Sequence, residues 1–148
     1  MHQPCNPSFL LVAWYWWNPG SIIIVPDFKV SAGDSINIVI TLSSDTSGQV
    51  IFWNSSQNQT ETISVTSEYP LCGRDALWVV RENISNSGYS DFGAVTFTDA
   101  VAFGPSQKVS SPGSATTIIM QDALGNILTS VTADGADMTV TYGPVTNS

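Results

Sequence analysis

The sequence contains a single histidine, His2, at its extreme N-terminus. That excludes Ser/His triads and histidine-based metal centres. Basic residues are almost as scarce, with 4 Lys and Arg against 12 Asp and Glu and a formal charge of -8. A surface of that sign repels a phosphate backbone instead of releasing its counterions, so nucleic acid is not expected as a partner. Charged residues of both signs make up 11% of the chain, where about 25% is usual. Ser, Thr, Asn and Gly must then supply most of the polar surface, which favours sheets and turns over helices. No stretch approaches the roughly 18 apolar residues that carry a helix across a bilayer. The run "FLLVAWYWW" at 9–17 is half of that and reads as a buried strand. Neither a membrane nor a metal or other cofactor is expected.

What the chain does contain is enough for one core. A length of 148 residues is that of a single domain, 1–148, able to bury roughly two thirds of its unfolded surface. The two cysteines, Cys5 and Cys72, fit either one bridge closing a long loop, worth about 4 kcal/mol on a chain-entropy model, or two free buried thiols. Acceptor triplets for N-glycans occur at Asn54, Asn58 and Asn83, each implying a surface position in a secreted eukaryotic protein. With the low lysine content they point to a secreted, extracellular protein. The start "MHQPCNPS" lacks a basic region and is interrupted by Pro4 and Pro7. It does not read as a signal peptide, so the leader is expected to have been removed or the chain to be a fragment.

Apolar runs rich in Val, Ile, Thr and aromatics recur between Gly, Pro, Asn and Ser clusters, the pattern of a sandwich of short strands. Strands are expected near 9–17, 22–30, 35–43, 48–54, 60–66, 76–82, 93–98, 115–121, 126–132 and 137–142, with very little helix. "SAGDS", "DALGN" and "SSDTSGQ" place glycines where tight connections need a positive φ. Segment 103–114 is expected to be a surface loop. In "SINIVITLS" Ile36, Ile38, Ile40 and Leu42 share one face, the expected core face. The first strand is apolar on both faces, so it is either central or lines a groove.

Isolated polar candidates are weak. Asp91, before Phe92 and Gly93, reads as a turn residue, and Asp134 and Asp137 flank a glycine turn with too few nearby oxygen ligands for calcium. The informative segments are three, in order: "AWYWWNP" at 13–19, "VSAGDSI" at 30–36 and "LCGRDALWVVRENI" continuing to "DFGAVTFTDA" at 71–100. Together they resemble the glutamic peptidases, the eqolisin family of secreted acid endopeptidases. That family's pattern runs A-W-Y-E-W-Y-P, S-A-G-D, L-C followed by A-E-W-I-V-E, and D-F-G-x-V-x-F-T. The resemblance implies an all-β fold, an antiparallel two-sheet β-sandwich of the concanavalin A-like kind with a substrate groove.

In that groove a glutamate and a glutamine activate the water that attacks the peptide carbonyl. A carboxylate can take and return the proton, and an amide can hold the developing oxyanion. Carried over by position, Trp14 and Trp78 match the family's tryptophans, while its three glutamates fall on Leu77, Arg81 and Trp16. Leucine can neither move a proton nor donate a hydrogen bond. The glutamine has one candidate, Gln3, without the Q-T-G context. Glu82 lies an odd number of positions from Leu77, so in a regular strand it faces the other way. A packed apolar surface in place of the acids would avoid burying an unpaired charge.

The expectation is therefore a glutamic-peptidase-like domain with impaired or lost proteolysis, monomeric, holding extended peptide or protein in a groove lined by Trp14, Trp16, Leu77 and Trp78. The alternatives are a carbohydrate-binding module using the same tryptophans as platforms, and a structural surface domain.

Overall fold

A computed structural model describes residues 11–73, 75–80, 91–104 and 109–143. Gln3, Cys5, Glu82 and Asn83 lie outside the described residues, as does Arg81. The chain divides into two compact units, Met1–Cys72 and Gly73–Ser148.

Among the described residues the first unit holds five strands. β1 (Val12–Trp16) and β2 (Ile22–Lys29) form an antiparallel pair, and β3 (Ile36–Ser44), β4 (Ser47–Asn54) and β5 (Gln59–Thr66) form a three-stranded antiparallel sheet in that order. Its core is Val25 and Phe28 of β2 against Val50, Phe52 and Val65 of the sheet, with Ala13, Tyr15 and Trp17 packed on it. The rings of Phe28 and Phe52 meet at 5.6 Å and 48°, an aromatic pair that adds to simple area burial. The amide of Gln59 joins the layers by accepting the Lys29 N–H at 3.0 Å and donating to the Asp27 carbonyl.

In the second unit β6 (Ala94–Phe97), β9 (Thr129–Asp134) and β10 (Asp137–Tyr142) form a sheet in the order β6-β10-β9. β7 (Ala102–Phe103) and β8 (Val109–Ser110) form a short ribbon. Met138 and Val140 are buried, and their partners across the sheet are Phe97 and Val95. Phe92 packs edge-on to Tyr142 at 5.7 Å.

Several expectations are corrected. Residues 76–80, the described part of the strand expected at 76–82, carry no strand, and 115–121 contributes one isolated bridge, Gln121 to Ile127. Both segments have β-type composition, which reflects burial and pairing more than backbone preference. The expected loop at 103–114 includes β8 and a three-residue 3-10 helix, Pro112–Ser114. Gly33 and Gly125 have the expected positive φ, and "SAGDS" connects β2 to β3 of another sheet. Gly48 sits within β4 for another reason: an added Cβ would lie 2.6 Å from the Thr41 carbonyl. Of the apolar face of β3 only Ile36 packs against the core; Ile38 and Ile40 are 57% and 69% exposed and Leu42 is exposed too. Among the described residues β3 is an edge strand, and Ile38 and Ile40 lie beside the buried Phe52 and Val50 on the same face but remain exposed.

Candidate functional site

Alternation along β1 sends Tyr15 toward the core and Trp14 and Trp16 outward, 51% and 50% exposed. Opposite them across the pair stand Ile24 and Ile22, both exposed. Cross-strand partners share a face, so four large apolar side chains form one outward patch on β1 and β2. The connecting loop fixes the end of this patch. Gly20 N–H donates to the Trp17 carbonyl at 2.7 Å, and the Trp16 indole donates to the Gly20 carbonyl at 2.8 Å. Trp17 is an anchor instead, its indole donating to the Tyr69 carbonyl at 2.8 Å. Trp53 on β4 is also exposed. Sequence reading missed the contribution of Ile22 and Ile24, although the alternation of "IIIV" after Pro19 and Gly20 carried it.

Leu77 and Trp78 belong to the second unit. Leu77 is 80% exposed and Trp78 half-buried. Together with the exposure of Trp16, this overturns the expectation of a packed surface where the family has acids: both apolar replacements face solvent. Cys72 is exposed, with a free thiol. Asn58 is exposed at a turn with φ of 52°. Asn54, expected as a glycan acceptor, is fully buried. Its Nδ2 donates to the Lys29 carbonyl at 3.0 Å and to Asp34 Oδ2 at 2.7 Å, and its Oδ1 accepts the Ser56 and Gln57 N–H groups. No nitrogen is left for a sugar in the folded chain, so that expectation is withdrawn.

Two carboxylates meet side-chain amides, the partnership glutamic-type chemistry needs, and both are committed to turns. Asp34 Oδ2 accepts from Asn54, from the Ser31 N–H at 2.8 Å and from Gln57 Nε2 at 2.6 Å. Asp122 accepts from Asn126 Nδ2 at 2.7 Å and from the backbone of Leu124 and Asn126. The Asn54 amide foremost, then Ser31 and Gln57, hold Asp34 below its ordinary value, and Asn126 does the same for Asp122. Donors aimed at the anion make a poor proton donor. Asp91 takes the Gly93 N–H at 2.8 Å, as a turn residue does. Among the described residues no three His, Cys, Asp or Glu side chains gather as a metal site, and no helix is long and apolar enough to cross a membrane.

The comparisons with known proteins agree on one family. The model for the Peptidase A4 family matches residues 6–142. Aspergillopepsin-2 of Aspergillus niger is 37% identical over 136 residues, 88% of this chain and 47% of that protein, so the chain spans about half the length of the curated relative it matches. The crystal structure of aspergilloglutamic peptidase from Aspergillus niger aligns with a TM-score of 0.77 at 32% identity, covering 89% of this chain and 79% of that one. Scytalido-glutamic peptidase, solved with a peptide based transition state analog, shares the fold at 24% identity and a TM-score of 0.66, covering 89% and 69%. The fold class is thus the all-β, antiparallel sandwich of the glutamic peptidases. The chain belongs to the Peptidase A4 family.

Proposed function

We propose that this chain binds extended peptides without hydrolysing them. The observation that carries this reading is Leu77, exposed at the position that matches the family's catalytic glutamate. Hydrolysis needs a group that accepts the water's proton and returns it to the leaving amine. An aliphatic side chain can do neither, and the other two matched glutamates fall on Arg81 and Trp16. The described carboxylates that meet amides are locked into turns. What supports binding is the outward patch of Trp14, Trp16, Ile22 and Ile24, a surface suited to apolar side chains of a strand-like peptide. Secretion fits the acidic, lysine-poor composition and the exposed Asn58 acceptor.

The test combines two readings. Incubated with a denatured protein at about pH 2 to 5, across the carboxylate range, the chain leaves it intact by mass spectrometry. Titration with an apolar peptide shifts the tryptophan fluorescence, and Trp14→Ala weakens the apparent Kd about tenfold, equivalent to about 1.4 kcal/mol. A response to soluble oligosaccharides and none to peptides would favour the sugar-platform reading, for which the same two exposed indoles are the specific support.

A further inference from the structure

We infer that the free edge of β3 pairs with β3 of a second copy of this chain, antiparallel about a two-fold axis at Val39. This goes beyond peptide binding and uses a different strand. Among the described residues β3 has a neighbour on one side only, β4. The Ser35 carbonyl accepts from Ser55 N–H at 3.0 Å. Since antiparallel pairs alternate, odd-numbered residues of β3 turn their backbone groups to β4, and Ile36, Ile38, Ile40 and Leu42 turn theirs to the free side. Natural edges of this kind are blunted by charge or proline. Residues 35–43, "SINIVITLS", contain neither.

The partner's identity comes from the order of side chains. Read about Val39, the segment is a palindrome in kind: Ile38 mirrors Ile40, Ile36 mirrors Leu42, Asn37 mirrors Thr41 and Ser35 mirrors Ser43. An isologous contact demands this self-complementarity. Antiparallel pairing in that register joins the exposed rows of Ile38, Ile40 and Leu42 from both copies on one face. It also makes Ile38 with Ile40 a hydrogen-bonded pair and Val39 with Val39 a non-hydrogen-bonded one. In that register no two carboxylates of the segment face each other, because Asp34 falls opposite Ser44 and Asp45 opposite Gly33; the charge of -8 on each copy opposes association, and salt screens it. The irregularity between Leu42 and Ser44 ends the row.

Sedimentation of the wild-type chain over a concentration series is expected to show twice the chain mass at the upper end, falling to the chain mass on dilution. Ile40→Pro removes an outward N–H at an edge, where proline is tolerated, and Ile38→Lys places a charge in the row. Both are expected to sediment at the chain mass with an unchanged circular dichroism spectrum. Register is read by crosslinking in a background with Cys5→Ser and Cys72→Ser. Val39→Cys places two thiols on Cα atoms about 4.5 Å apart across the axis, within disulfide reach, and is expected to crosslink; Ile38→Cys faces Ile40 and is not. A wild-type monomer at every soluble concentration overturns the inference, as does equal crosslinking at both positions. Peptide binding can persist or fail independently of either result.

Discussion

The two units of the chain handle the same β-rich composition differently. Among the described residues of Met1–Cys72 there are five strands of 5 to 9 residues, of which β3, β4 and β5 pair over nearly their whole lengths, and they enclose five buried apolar residues. In Gly73–Ser148 two strands have only 2 residues, and "DALWVV" forms no strand. The contrast teaches where motif becomes geometry. "AWYWW" is fixed by pairing to β2, by the core under Tyr15 and by the indole bonds of Trp16 and Trp17. The segment that would present the family's acid has no such scaffold among the described residues.

The contrast is broken most severely by Phe52→Ala, which empties the centre of the first core and is expected to cost about 3–5 kcal/mol in urea unfolding. A matching truncation at exposed Phe103 should fall within about 0.5 kcal/mol; equal losses would mean the two surroundings do not differ as described. Asn54→Ala comes next. It removes the partner of the Lys29 carbonyl and of the Ser56 and Gln57 N–H groups in a part-buried network, and about 1–3 kcal/mol is expected. Gly113→Ala probes the second unit, where the new Cβ would meet the Gly135 backbone at 2.6 Å. Overpacking of this kind costs about 1–3 kcal/mol, visible as a lower urea midpoint.

Much of this was readable beforehand, and the failures share a cause. The strands of the first unit were legible because alternation and glycine turns coincide there. The outward pair Trp14 and Trp16 was legible only as a choice between core and groove, because β1 is apolar on both faces. The exposure of Ile38 and Ile40 on β3 was not legible, since alternation reports which residues share a side and not whether another layer covers it. Asn54 was misread as a glycan acceptor because a triplet says nothing of burial, and its partners Lys29 and Asp34 are 25 and 20 positions away. Leu77 was legible by position alone, without its exposure.

Smaller effects sharpen the comparison further. With its folded pKa lowered by Asn54, Ser31 and Gln57, Asp34 binds fewer protons folded than unfolded in the acid range. Stability from this group is therefore present above the unfolded value of about 3.9 and lost as pH falls through the lower folded value. Asp34→Asn should flatten that acid branch in pH-dependent melting, with little change near neutrality in the pH slope. Smallest of all, Leu77→Ala should leave stability within about 0.5 kcal/mol, because the side chain faces solvent.

The most direct measurement is a mass-spectrometric search for new peptide termini after the folded chain is incubated with a denatured protein in acid. No new termini are expected, with Trp14-dependent peptide binding retained under the same conditions. Steady release of fragments by the purified, folded chain would contradict the account, since it would require a working proton carrier other than a residue at position 77.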